Sequence, residues 1–91
     1  MELIAKHIVF SGRVQGVGFR FTALNIANSY KLMGYVRNLP GGGVEMLVQG
    51  QPDMIDNCMR DLQESFAGYV KEAESKTVPI DPNMDDFKIT F

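Results

Sequence analysis

Between Leu3 and Val14 apolar and β-branched residues crowd the chain, and Ile8, Phe10, Gly12 and Val14 recur at every second position. That period predicts a strand with one buried face. From Phe19 the period lengthens. Phe19, Ala23, Ile26, Ala27 and Tyr30 fall at helical spacing, with Thr22, Asn25, Asn28 and Ser29 mostly elsewhere, and predict a helix to about Tyr30. Lys31-Leu32-Met33 must then turn the chain back without the glycine that commonly closes a helix. Two short strand patterns follow, Gly34 to Asn38 and Val44 to Gly50, the second alternating Val44, Met46 and Val48 against Glu45 and Gln49. Leu39-Pro40-Gly41-Gly42-Gly43 between them suits a tight hairpin, so the two strands are expected as antiparallel neighbours. A second helix opens at Pro52, carries Asp53 and Asp56 at its positive end and a stripe of Ile55, Cys58, Met59, Leu62 and Phe66, and stops before Gly68. Tyr69 to Val78 is charged and weakly alternating, as on an exposed edge strand. A loop at Pro79 to Asn83 leads to a half-buried last strand in which Phe87, Ile89 and Phe91 alternate with Lys88 and Thr90.

The order is strand, helix, strand, strand, helix, strand, with a short extra strand at the end. Two helices on one face of an antiparallel sheet in this order form the ferredoxin-like α+β sandwich, βαββαβ. Ninety-one residues support one core, so residues 1–91 are read as a single domain. The hydrophobic share of 45% and charged share of 22% are those of a soluble globular protein. No apolar run approaches the ~20 residues of a spanning helix, and Met1 to Lys6 lacks a basic segment followed by a signal core. No membrane partner and a cytoplasmic location are therefore expected, with a monomer as the default. A net charge of -2 and a pI near 5.2 count against general nucleic-acid binding, which needs basic surface, but leave room for a local basic pocket. Cys58 is the only cysteine, so neither an internal disulfide nor a cysteine metal site can form.

The chemistry concentrates where the strand pattern gives way to the helix pattern, at Gly12-Arg13-Val14-Gln15-Gly16-Val17-Gly18-Phe19-Arg20. Three glycines let the backbone turn tightly and approach a ligand, yet a strand-to-helix turn needs small residues for structural reasons too. Arg20 adds the sharper signal. A cation in the first turn of a helix costs a few tenths to ~1 kcal/mol unless an anion completes the site, so its placement favours anion binding over a surface ion pair. The stretch is not a nucleotide P-loop, which would continue with Lys and then Ser or Thr where this chain has Val17-Gly18-Phe19-Arg20. Asn38, closing a strand before the loop, is either a turn residue or an amide that aims a water at the cradle. His7 is read as facing solvent or pairing across the sheet, and Cys58 as a buried thiol. Asp81, Asp85 and Asp86 fit a solvated loop. Arg13 and Arg37 are strand charges that are either solvent-exposed or widen the positive field.

These residues, followed by Ala27, Gly34-Tyr35-Val36-Arg37-Asn38-Leu39-Pro40, Gly42 and Val44-Glu45, resemble the acylphosphatase family over nearly the whole chain. The resemblance implies a small enzyme, an acylphosphate phosphohydrolase, that hydrolyses acyl phosphates to a carboxylate and inorganic phosphate. By that similarity the backbone of Gln15, Gly16, Val17, Gly18 and Phe19, with the guanidinium of Arg20, holds the phosphoryl group or another anion, and Asn38 orients the attacking water. Neither a metal nor a cofactor is implied. The chain departs from the family at Gly41, where many relatives have Asp, and at Lys31, where a helix-closing glycine is common. Phosphoryl transfer asks chiefly for positioning and charge stabilisation, and a carboxylate leaves without a general acid, so the lack of a His, Cys or carboxylate constellation is no obstacle.

Two other classes fit the element order. RNA-binding domains share it, but need stacking aromatics and basic surface that the acidic balance opposes. A carbamoyl-phosphate module like that of hydrogenase maturation carbamoyltransferases belongs to a much longer chain with zinc-type cysteine pairs, absent here.

Overall fold

The computed structural model describes residues 2–91. The elements are β1 (Ile4–Gly12), α1 (Phe19–Ser29), β2 (Met33–Asn38), β3 (Val44–Gly50), α2 (Pro52–Ser65), β4 (Val70–Val78) and β5 (Phe87–Ile89). They build one sheet of order β4-β1-β3-β2-β5. Strands β1 and β3 sit at its centre, as the ferredoxin-like arrangement requires. One correction concerns the sheet's hand-over to its last strand. The expected sheet was wholly antiparallel, but β5 runs parallel to β2, with Gly34 opposite Phe87 and Val36 opposite Ile89. The sheet is therefore mixed.

The alternating strand residues place Ile8 and Phe10 of β1, Val36 of β2, Val44, Met46 and Val48 of β3 and Phe87 of β5 on one face. There they join Phe19, Ala23 and Ala27 of α1 and Ile55, Cys58, Leu62 and Phe66 beside them in a single buried cluster. Both helices thus cover the same face. Burial of these apolar side chains is the main favourable term in the fold, at roughly 25 cal/mol per Å² removed from water. Burial also pushes the Cys58 thiol up to about 12, which leaves it inert as a nucleophile at neutral pH. The Tyr30 hydroxyl at the end of α1 donates to the Asp61 carboxylate of α2 and ties the two helices together.

Two strand ends and the burial of one residue differ from the sequence pattern for physical reasons. The first strand ends at Gly12, two residues before Val14, because the pairing with β4 shifts between Ser11 and Gly12 and the backbone of Tyr69 approaches closely. A Cβ at Gly12 would lie 2.3 Å from the Tyr69 carbonyl oxygen. Gln49, expected on the polar face of β3, is only 2% exposed. Because β4 and β5 occupy opposite edges, the connection between them must cross the sheet, and it does so over Gln49. The Gln49 amide accepts from the Asp81 N–H at 2.8 Å and donates to the Asp81 carbonyl at 2.9 Å, replacing the hydrogen bonds to water that it loses. Last, β5 stops at Ile89, and Phe91, expected in a half-buried strand, is 96% exposed.

Helix α1 closes as a Schellman turn with an unusual occupant. Leu32 N–H bonds the Ala27 carbonyl at 2.9 Å and Lys31 N–H that of Asn28 at 3.1 Å, while Lys31 takes the left-handed φ of 58° that glycine normally supplies. Among the described residues no helix is long and apolar enough to cross a membrane.

Candidate active site

The loop from Arg13 to Gly18 leaves β1 at the sheet's centre and delivers the chain to the first turn of α1. Gly16 and Gly18 adopt φ of 76° and 80°. A Cβ on either would meet no other atom within 4 Å, so the backbone angle, and not crowding, is what demands glycine. Gly18 is the N-cap of α1 and has no side chain to cap it; the first helical bond runs from Thr22 N–H to the Gly18 carbonyl at 3.1 Å. The N–H groups before it lack intrahelical acceptors, and the first turn carries no acidic residue. The result is a helix start whose positive end no capping or acidic side chain of its own first turn offsets.

Phe19 fixes that start in place. Its ring is buried between Phe10 of β1 and Phe66, with ring centroids 4.9 and 4.7 Å away. Gln15 fixes the other side of the loop: its Nε2 donates to the carbonyls of Leu39 and Gly43, both at 2.8 Å, and so ties the cradle to the β2–β3 hairpin.

Strand parity decides what the hairpin presents. Val36 faces the core, so Asn38, two residues on, lies on the same side, toward the start of α1. Arg37 is turned to the opposite face, where its Nε lies 2.5 Å from Glu45 Oε1, while His7 Nε2 lies 2.8 Å from Glu45 Oε2. Burial alone would raise the Glu45 pKa, but the hydrogen bonds from His7 and Arg37 outweigh it and hold the carboxyl below its ordinary range. His7 thus pairs across the sheet, and Arg37 is spent on a carboxylate away from the cradle. Arg13 is exposed and stands over the Tyr69 ring, 5.7 Å from its centroid.

What remains converges. A cavity of about 210 Å³ is lined by Val14, Gly16, Gly18, Phe19, Arg20, Phe21 and Asn38. Arg20 forms no ion pair with a carboxylate among the described residues. Its Cζ lies 5.3 Å from the centroid of the Phe91 ring, a contact that neutralises no charge. Of the residues singled out in the sequence, Gly16, Gly18, Phe19, Arg20 and Asn38 come together here. Gln15 and Val17 do not line the cavity; Gln15 braces the loop and Val17 packs against the core. Phe21 was missed. Its signal was available, since an aromatic residue beside Arg20 falls off the apolar stripe of α1. A larger cavity of about 380 Å³, lined by Tyr30, Lys31, Gly50, Gln51 and others, lies where α1 ends and α2 begins and contains none of these groups.

The acylphosphatase family model matches residues 6–89. The chain belongs to the acylphosphatase family. It is 37% identical over 84 residues to the acylphosphatase of Chlorobaculum tepidum, an alignment covering 91% of each chain. It is 44% identical over 59 residues to that of Nostoc sp., where the match spans 65% of this chain and 58% of the relative's length. Among solved structures, the crystal structure of acylphosphatase from Bacillus subtilis superposes with a TM-score of 0.89 at 28% identity, covering 97% of this chain and 99% of the other. Full-length HypF in its phosphate- and nucleotide-bound form matches with a TM-score of 0.86 at 32% identity, over 99% of this chain and 12% of that one. The ferredoxin-like class expected from the element order is that of the Bacillus subtilis acylphosphatase structure.

Proposed function

We propose that this chain hydrolyses acyl phosphates to a carboxylate and inorganic phosphate at the cavity between the Gly12–Arg20 loop and Asn38. Family membership supports the activity. The observation that carries the site is the convergence of Arg20, which no described carboxylate neutralises, with Asn38 on one cavity at the uncapped start of α1. In this reading the backbone N–H groups of Gln15 to Phe19 and the Arg20 fork hold the phosphoryl oxygens and take up the charge that gathers there in the transition state. Asn38 orients a water for attack on phosphorus opposite the acyl oxygen. The P–O bond to the acyl group breaks, the carboxylate leaves with the electron pair, and the water proton passes to a phosphoryl oxygen. The proton is assigned to the phosphoryl oxygens because the Asn38 amide is a poor base. A kcat pH profile that followed a protein group near neutrality would contradict that assignment.

The same reading takes the chain as a single catalytic domain acting as a cytoplasmic monomer on a small-molecule substrate, with inorganic phosphate as a competing anion. The test is phosphate release from acetyl, carbamoyl and benzoyl phosphate in the presence of a chelator. Release by the wild type, with Asn38→Ala folded but slowed, supports the reading; equal rates in both proteins would remove Asn38 from the mechanism.

A further inference from the structure

The phosphoryl cradle accounts for one part of the substrate and leaves the acyl part unassigned. Five large hydrophobic side chains stand exposed on the described surface: Leu3, Phe21, Tyr69, Ile80 and Phe91. Scattered singly, such residues mean nothing. One of them lines the candidate cavity, and a second packs on a residue that does. Phe21, 67% exposed on the first turn of α1, lines it directly, and Phe91, 96% exposed, stands against the Arg20 guanidinium that lines it too. Neither ring belongs to the core cluster, so packing does not explain either.

We propose that Phe21 and Phe91 form an apolar rim that receives the acyl group and makes the chain selective for acyl phosphates bearing aromatic or bulky apolar acyl groups. The inference rests on the acylphosphatase reading of the same site. Phosphate oxygens face the uncapped helix start and Arg20, so the acyl group leaves the cavity past the neighbours of that helix start, and Phe21 is the next residue along it. Phe91 contributes a second ring while leaving the charge of Arg20 intact. An aromatic acyl group settling on these rings gains aromatic contact and removes exposed apolar surface from water; an acetyl group is too small to do either.

The experiment compares kcat/KM for benzoyl and acetyl phosphate in the wild type, Phe21→Ala, Phe91→Ala and the double variant, with the competitive Ki of inorganic phosphate measured in each. Phosphate carries no acyl group, so its Ki reads the cradle separately from the rim. The wild type is expected to favour benzoyl phosphate, and each substitution to lower the benzoyl-to-acetyl ratio, on the order of tenfold in the double variant, the size that a few apolar carbons in a pocket supply. Because the acyl group changes little in the reaction, the loss is expected in KM more than in kcat. A ratio unmoved within twofold overturns the rim, as does a parallel loss on both substrates with a weakened phosphate Ki, which would make the rings supports of Arg20. Failure of the wild type to hydrolyse either substrate would instead overturn the activity on which the rim depends.

Discussion

Arg37 lies next to Asn38 at the end of β2 and is held by Glu45 on the face of the sheet away from the helices, whereas Arg20 lies in the first turn of α1 and has no carboxylate partner among the described residues. Both are fixed cations, and sequence alone allows either to serve an anion site. The difference lies in what the fold places around them. Glu45 sits directly opposite Arg37 in the β2–β3 pairing and also receives His7, so that region is a closed set of charges. Around Arg20 there are a helix start without a side-chain cap, the Asn38 amide and two rings, and no described carboxylate offsets its charge. A cation compensated within the fold serves structure; one left uncompensated beside oriented N–H groups serves binding.

The largest expected effect that sharpens the contrast is at Arg20. Arg20→Ala is expected to lower kcat/KM for benzoyl phosphate by ~10³-fold or more and to weaken inhibition by phosphate, since in the proposed site the fork contacts the transferring group throughout. Steady-state kinetics with phosphate as inhibitor measures both. Next, Asn38→Ala is expected to lower kcat by ~10²-fold with the fold retained by circular dichroism, the cost of one oriented group. Third, Arg37→Ala, one residue away from Asn38, is expected to leave kcat within about threefold and to cost about 1 kcal/mol in urea unfolding, since Arg37 itself is half-exposed and His7 still pairs with Glu45. An Arg37 effect as large as that of Arg20 would break the comparison.

The smallest effect is a pH dependence. Glu45 titrates below its ordinary 4.5 in the folded chain, so its contribution is complete above that value and is lost as the pH falls through the folded pKa. Urea titrations over about pH 3 to 5 should therefore show a shallower acid limb in Glu45→Gln than in the wild type. Identical limbs would mean that the His7–Glu45–Arg37 set is not coupled to folding.

The glycine turn into α1 was legible because its signal is local. Glycines at Gly16 and Gly18 and a cation at Arg20 announce a turn and an unfavourable charge within a few residues, without any knowledge of the rest of the fold. The fate of Arg37 was not legible, because it depends on the β2–β3 register and on which face Glu45 takes. Strand parity separates Arg37 from Asn38 only once Val36 is known to face the helices. The mixed sheet was hidden for a similar reason: β5 is three residues long, and its direction is set by a connection that crosses the sheet and hooks Gln49. Phe91 continued the alternation of Phe87 and Ile89 in sequence, but the strand ends before it. Lys31 shows the opposite case. Its lack of a closing glycine was visible, and the chain bears the left-handed φ on a lysine, at a cost of about 1 kcal/mol relative to glycine, because the Schellman bonds of Leu32 and Lys31 fix the turn regardless.

In the proposed mechanism the cradle holds the phosphoryl group and water attacks the phosphorus atom there. Hydrolysis of benzoyl phosphate in ¹⁸O-labelled water tests it most directly. Label in the inorganic phosphate, and none in the benzoate, is the predicted result. Label in the benzoate would place the attack on the acyl carbon and contradict the account.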